Sequence, residues 1–307
     1  MIVYLNDNIH PEAVALLKSS AEVVSDFDRI REIDGMVVRA TPVPRSIIEQ
    51  AVNLKVIGRH GVGYDKVDIE AAREHHVRVL NAPTANANSV AELIVARFLE
   101  MSRDLYRGNV GLREGRFPKS SPPDMVGTEV TGKTLGLIGI GHIPQLVAAM
   151  MKAAFHVHVI GYDPYVSAEE FRRRGIVKYD RLEQMLEAAD LVSISVHRTA
   201  ATQNMINAST FDHFRPGAIF VNTSRGGIVD EDALYDALTA KKLRAAAFDV
   251  FAKEPCPPDS KLLTLENFSA TPHIGGNTEE ALYNTGMTIV KNVLNVLQGL
   301  PAEGIVV

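Results

Sequence analysis

Short β-branched runs alternate along this chain with longer stretches of helical period, and few architectures accommodate that alternation. Lys55-Val-Ile-Gly, Val77-Arg-Val-Leu, Val157-His-Val-Ile, Leu191-Val-Ser-Ile and Ala218-Ile-Phe-Val are the strand-like runs. They predict an α/β protein whose parallel sheets are covered by helices on both faces. At 307 residues the chain is too long for one small domain, so two cores are expected. Ser89 to Leu105 places Val90, Leu93, Ile94, Ala96, Leu99 and Met101 on one broad apolar surface. It reads as a long buried helix joining the two domains, with Ser89 as N-cap and Glu92 completing a capping box. A polar, proline-rich stretch from Arg113 to Gly132 reads as a surface loop. A second long helix, from Glu279 to Gln298, is free by sequence to return to the first domain.

Composition narrows the function. The chain is 46% apolar and 22% charged, with 32 basic against 37 acidic residues and a net charge of −5, which argues against nucleic acid as a partner. One cysteine, Cys256, permits neither an internal disulfide nor a thiolate-rich metal site, and no metal is expected. Met1-Ile-Val-Tyr-Leu-Asn-Asp lacks the basic start and apolar stretch of a signal peptide. No apolar run reaches the roughly 18 residues that span a bilayer. The expectation is a soluble, unexported, cytoplasmic protein.

Leu135-Gly-Leu-Ile-Gly-Ile-Gly-His-Ile-Pro reads as a strand, a glycine turn and a helix start. Gly139 makes the tight turn, Gly141 lets backbone approach a pyrophosphate, and the helix N-terminus adds N–H groups and a positive dipole end. Pro144 stands where the fingerprint has its third glycine. A proline is tolerated in a first helical turn, though the close helix-to-strand packing that glycine permits is put in doubt. The next strand ends on Asp163, 24 residues after Gly139 (163 − 139), where an acid accepts hydrogen bonds from an adenosine ribose and repels a 2′-phosphate. NAD is therefore favoured over NADP. Asp163 before Pro164 also suits a plain turn or cap.

Three polar residues follow the apolar strands of the second half. Arg225 lies just beyond Ala218-Ile-Phe-Val-Asn, where open parallel sheets bind ligands. A guanidinium there can grip a carboxylate with two bonds while polarising a neighbouring carbonyl. Taken singly, Arg225 suits a structural ion pair, His273 a loop and Glu254 the surface. Taken together, His273 and Glu254 answer a chemical need: reducing a 2-oxo acid requires a proton for the new alkoxide, and a carboxylate holds the imidazole in the right tautomer.

At this point the chain resembles the D-2-hydroxyacid dehydrogenase family. The resemblance covers nearly all residues and includes Gly61-Val-Gly-Tyr-Asp-Lys-Val-Asp68, Asn81-Ala-Pro, Asn88-Ser-Val-Ala-Glu92, Gly132-Lys-Thr-Leu-Gly, the glycine turn, Arg225-Gly-Gly-Ile-Val-Asp, Asp249-Val-Phe and Pro272-His-Ile-Gly-Gly. It implies two doubly wound domains. Residues 1–93 and 277–307 would form a discontinuous, flavodoxin-like substrate domain, and 94–276 a Rossmann domain binding NAD, with a homodimer built on the nucleotide domains. It further implies that Arg225 binds substrate, His273 is the acid/base and Glu254 orients it. Backbone N–H groups at Val62 and Gly63 match those holding the substrate carboxylate. Gly139, Gly141, His142, Ile143, Asp163, His197, Thr202, Thr223, Asp249 and Gly275 match positions on the cofactor side, Asp249 near the nicotinamide carboxamide. His197 departs from the pattern, standing where many relatives carry proline.

The same resemblance refines the substrate. Arg59 matches an arginine that phosphoglycerate dehydrogenases place near the substrate phosphate, which points to 3-phosphoglycerate or another doubly anionic acid. A structural ion pair would also account for it, and a chain ending at Val307 leaves no room for the regulatory domain many of those enzymes append. Two rival readings stand beside the enzyme: an NAD(H)-sensing, corepressor-like protein with little turnover, and a formate dehydrogenase. Formate dehydrogenases carry glutamine at the position of Glu254, so glutamate here argues against the second.

Overall fold

The computed structural model describes all 307 residues as two compact units, residues 1–89 with 276–307, and residues 90–275. The first unit holds a five-stranded parallel sheet built from β1 (Ile2–Tyr4), β2 (Glu22–Val24), β3 (Gly35–Val38), β4 (Val56–Arg59) and β5 (Arg78–Leu80). Its strand order is β2-β1-β3-β4-β5. The closing helix Glu279–Leu297 belongs to this unit and lays Ile289, Val290 and Val293 against the sheet residues Val3, Val37 and Val56. Gly58 on β4 has no room for more, since a Cβ there would meet Val293 and Ile289 side-chain carbons at 2.5 and 2.7 Å. Removing side chains of this size from water contributes roughly 1.5 to 3 kcal/mol each. That gain is what brings the chain's end back to its beginning.

The second unit holds seven parallel strands: β6 (Thr134–Ile138), β7 (His158–Tyr162), β8 (Val177–Lys178), β9 (Leu191–Ile194), β10 (Ala218–Asn222), β11 (Leu243–Phe248) and β12 (Phe268–Ala270). The order is β12-β11-β10-β9-β6-β7-β8. All inner strands are buried on both faces, which explains their uninterrupted apolar sequences. The strand order reverses at β6, so a crevice opens between the carboxyl ends of β6 and β9. At the other side of the sheet, Phe220, Phe248, Phe268 and Phe251 meet edge-on in succession, with centroids 5.6, 5.6 and 6.4 Å apart. They form a stiff apolar floor beneath the loops that follow β10, β11 and β12.

One expected boundary moves. The helix reads Ala87–Arg103, because a turn closed by the Ala87 N–H on the Thr84 carbonyl (3.1 Å) starts it two residues early. Ser89 therefore lies buried inside the first turn and is not an N-cap. Asp104, left-handed at φ 50°, separates it from a second helix, Leu105–Arg113. No helix is long and apolar enough to cross a membrane.

Candidate active site

In the second unit the glycine turn occupies the crevice at the point of strand reversal. Gly139 is required twice over: its φ is +80°, and a Cβ would stand 2.5 Å from the Ser195 carbonyl oxygen beyond β9. Gly141 is required by nothing inside the protein, since a Cβ there meets no atom within 4 Å. The open space lies at the start of the helix His142–Phe155, whose first residues are His142 and Ile143. A pyrophosphate fits that cradle, with unpaired first-turn N–H groups facing it. Pro144 is buried within the first turn and the helix forms around it, because no N–H is needed there.

Asp163 follows β7 and does two things at once. Its Oδ2 accepts the Ile140 N–H at 3.2 Å, which places the acid beside the glycine turn, and its Oδ1 accepts the Tyr165 N–H at 3.0 Å, which makes a local turn. The ribose and turn readings of this residue are thus compatible. His197 is exposed in the loop after β9, and its carbonyl takes the Thr202 hydroxyl at 2.6 Å. Thr223, just past β10, buries its hydroxyl oxygen without a protein partner. Asp163 follows β7 on one side of the crevice, His197 and Thr223 follow β9 and β10 on the other, and together they fit a dinucleotide.

The loops after β10, β11 and β12 carry the polar residues. His273 Nδ1 lies 2.9 and 3.1 Å from the two Glu254 carboxylate oxygens. With Nδ1 so engaged, the neutral ring carries its proton there and Nε2 is left to exchange protons. Both side chains remain accessible, at 49% and 36% exposure, so the pair can reach an incoming molecule. Glu254 Oε1 also accepts the Phe251 N–H at 3.3 Å. Arg225 is half-buried, and its guanidinium donates to the Ser224 carbonyl at 2.7 Å.

Asp249 holds the histidine turn in place. Buried to 2% exposure, its carboxylate accepts the Thr271 hydroxyl at 2.6 Å and the Ile274 and Gly275 N–H groups at 2.8 Å each. His273 sits within that turn in the left-handed region, φ 55°. A carboxylate with three donors can hold a residue there against a backbone cost of about 1 to 2 kcal/mol.

In the first unit, Arg59 ends β4 and donates to the Val38 and His60 carbonyls at 3.3 and 2.8 Å. The following loop, with Val62 and Gly63, is tied down by the Asn81 amide on the Val62 carbonyl, 2.8 Å. Asp7 spans the reversal point of this sheet: burial opposes its charge, but N–H groups of Arg39, Ala40 and Thr41 at 2.6, 3.0 and 3.2 Å hold its carboxyl below the usual range. The first unit thus fills its own crevice, whereas the second lines its crevice with glycine.

His60 gives this unit a pH dependence. Burial first, and then the Arg39 and Arg59 charges, push its imidazole down from 6.5 to about 4. The unfolded chain takes up a proton that the folded one resists, so stability is whole above the ordinary value and falls as pH drops from there toward 4. The loss is on the order of 3 kcal/mol. Denaturant midpoints between pH 7 and 4.5 should decline less in His60→Asn than in wild type; equal slopes would remove His60 from the account.

A doubly wound unit with a glycine cradle carries a histidine-carboxylate pair on loops of the same sheet, an arrangement suited to dinucleotide-dependent redox chemistry. Residues 95–275 match the D-isomer specific 2-hydroxyacid dehydrogenase, NAD binding domain. The chain belongs to that family. It is 39% identical over 313 residues to a D-3-phosphoglycerate dehydrogenase of Methanocaldococcus jannaschii, a match spanning 99% of this chain and 59% of that protein. It is 40% identical over 308 residues to a hydroxypyruvate reductase of Thermotoga maritima, covering 96% of this chain and 98% of that one. The crystal structure of a Thermus thermophilus protein superposes with a TM-score of 0.93 at 30% identity over all of both chains.

Proposed function

We propose that this chain is an NAD-dependent D-2-hydroxyacid dehydrogenase, interconverting a small 2-oxo acid and its 2-hydroxy acid. The observation carrying this reading is the bond from His273 Nδ1 to Glu254 at 2.9 Å, in the same unit as the glycine cradle. In the reducing direction Nε2 of His273 gives a proton to the substrate oxygen, and Glu254 holds the ring and balances the imidazolium charge. Arg225 grips the substrate carboxylate and polarises the adjacent carbonyl. Val62 and Gly63 are proposed substrate-binding positions of the first unit, through their backbone N–H groups. Bound NADH supplies the hydride. Gly139, Gly141, His142, Ile143, Asp163, His197, Thr202, Thr223, Asp249 and Gly275 hold the dinucleotide or shape its cradle. A sensing role without turnover is disfavoured by the likeness to a D-3-phosphoglycerate dehydrogenase and a hydroxypyruvate reductase.

The test is oxidation of NADH and NADPH by purified protein against glyoxylate, pyruvate, hydroxypyruvate, phosphohydroxypyruvate, oxaloacetate, sulfopyruvate and branched-chain oxo acids. Rapid NADH turnover on one member supports the enzyme. Tight NADH binding with no turnover on any supports the sensor.

A doubly anionic substrate such as 3-phosphoglycerate is the finer proposal, carried by Arg59 and by likeness to a phosphoglycerate dehydrogenase. Arg59→Ala should raise KM for phosphohydroxypyruvate by about tenfold or more while leaving unphosphorylated oxo acids nearly unaffected. An equal effect on all would assign Arg59 to holding its own segment, as its bonds to the Val38 and His60 carbonyls do. A homodimer is also proposed, supported by the exposed Leu105, Tyr106, Leu112 and Val126. Sedimentation equilibrium tests it. The single cysteine supports a cytoplasmic setting.

A further inference from the structure

The loop from Asp249 to Glu254 carries one half of the acid/base pair, and a residue outside the pair reaches across to hold it. Glu231 is the first residue of the helix Glu231–Thr239, and its Oε1 accepts the Ala252 N–H at 2.6 Å. The helix has no need of this acid: Asp230 already caps it, accepting the Asp232 and Ala233 N–H groups at 3.0 and 3.1 Å. An acid in a first turn ordinarily points to water and gains from the helix dipole there. Glu231 instead turns inward and is half-buried. Burial, followed by repulsion from Asp232 and Asp230, pushes its carboxyl above the usual range despite the bond from Ala252. That unfavourable placement is offset by what the carboxylate holds.

What it holds leads directly to His273. Ala252 lies two residues before Glu254, and the turn between them is closed by the Phe251 N–H on Glu254 Oε1. Beneath it, Gly226 packs against the Phe251 carbonyl and the Ala252 nitrogen. We infer that Glu231 is a positioning residue that fixes the Ala252 turn, and through it the Glu254 carboxylate against His273 Nδ1. The inference rests on the proposed acid/base role of that pair.

Three variants and two readouts test it. Glu231→Ala should lower kcat per NADH-binding site by roughly tenfold, with KM for NADH within about twofold, because a loosened pair still binds cofactor but transfers protons poorly. Glu231→Gln keeps a carbonyl acceptor and should restore most of kcat. Glu231→Asp, too short to reach Ala252, should resemble alanine and serves if the alanine variant does not fold. Crystal structures should show the Glu254–His273 bond lengthened beyond hydrogen-bond distance in the alanine or aspartate variant and intact in the glutamine variant. An unchanged bond in Glu231→Ala, an unchanged kcat, or a glutamine variant as impaired as alanine would overturn the inference. A wild type inactive on every oxo acid would sink the enzymatic reading, while the crystallographic distance would still decide what Glu231 does.

Discussion

His273→Ala should lower kcat for NADH-driven reduction by about 10²- to 10⁴-fold, the usual contribution of a positioned acid/base, while the NADH dissociation constant stays within about twofold. The loss is expected to be chemical because the imidazole does not hold its own turn together. Asp249 does that, through the Thr271 hydroxyl and the Ile274 and Gly275 N–H groups. Alanine at φ 55° meets a left-handed backbone cost of the kind that histidine already bears. Fluorescence titration with NADH and single-turnover reduction of the best oxo acid would separate the two quantities. A variant retaining its kcat would move proton transfer to another group. A variant losing NADH affinity in step with kcat would mean that the turn, and with it Asp249 and Gly275, had collapsed.

How much of this was legible in the sequence varies with the physics at each position. The glycine turn is legible because strand, turn and helix start are local, and Pro144 sits in the first turn as the local rule for proline allows. The parallel sheets were readable from continuous apolar runs, which only two-sided burial explains. The cap pattern at Ser89 does not mark the helix start, because the backbone turn at Thr84 begins the helix earlier. The pairing of His273 with Glu254 was a chemical expectation that periodicity could not supply, because strand order alone brings their loops together. Glu231 gave no signal: in Val-Asp-Glu it looks like any acid opening a helix, and only the path of the Ala252 loop turns it inward. Asp7 was invisible for the same reason, as its partners are backbone groups more than 30 residues away. Sequence thus reports local geometry well and reports side chains that serve a distant backbone poorly.

Gly226 illustrates that limit and carries the second large effect. In Arg225-Gly-Gly nothing in the sequence distinguishes the two glycines, yet they are needed for different reasons. Gly227 has φ +78°, a conformational demand, whereas at Gly226 the demand is space. A Cβ at Gly226 would stand 1.8 Å from the Phe251 carbonyl oxygen, 2.1 Å from its carbon and 2.6 Å from the Ala252 nitrogen. All three are backbone atoms, so no side chain can rotate away. Either the Arg225 segment or the Ala252 loop must move by more than an ångström, and Phe251 is pinned against the apolar floor through Phe268. Gly226→Ala is therefore expected to cost about 1 to 3 kcal/mol of stability through overpacking. It should also lower kcat/KM by about 10²-fold or more in the protein that remains folded, because a displacement of about 1 Å is enough to misalign Arg225 from Glu254 and His273. Urea unfolding measures the first quantity and kinetics per NADH-binding site the second. Wild-type kinetics in a folded variant would show that the loops after β10 and β11 can separate without consequence, and that their close packing serves stability alone.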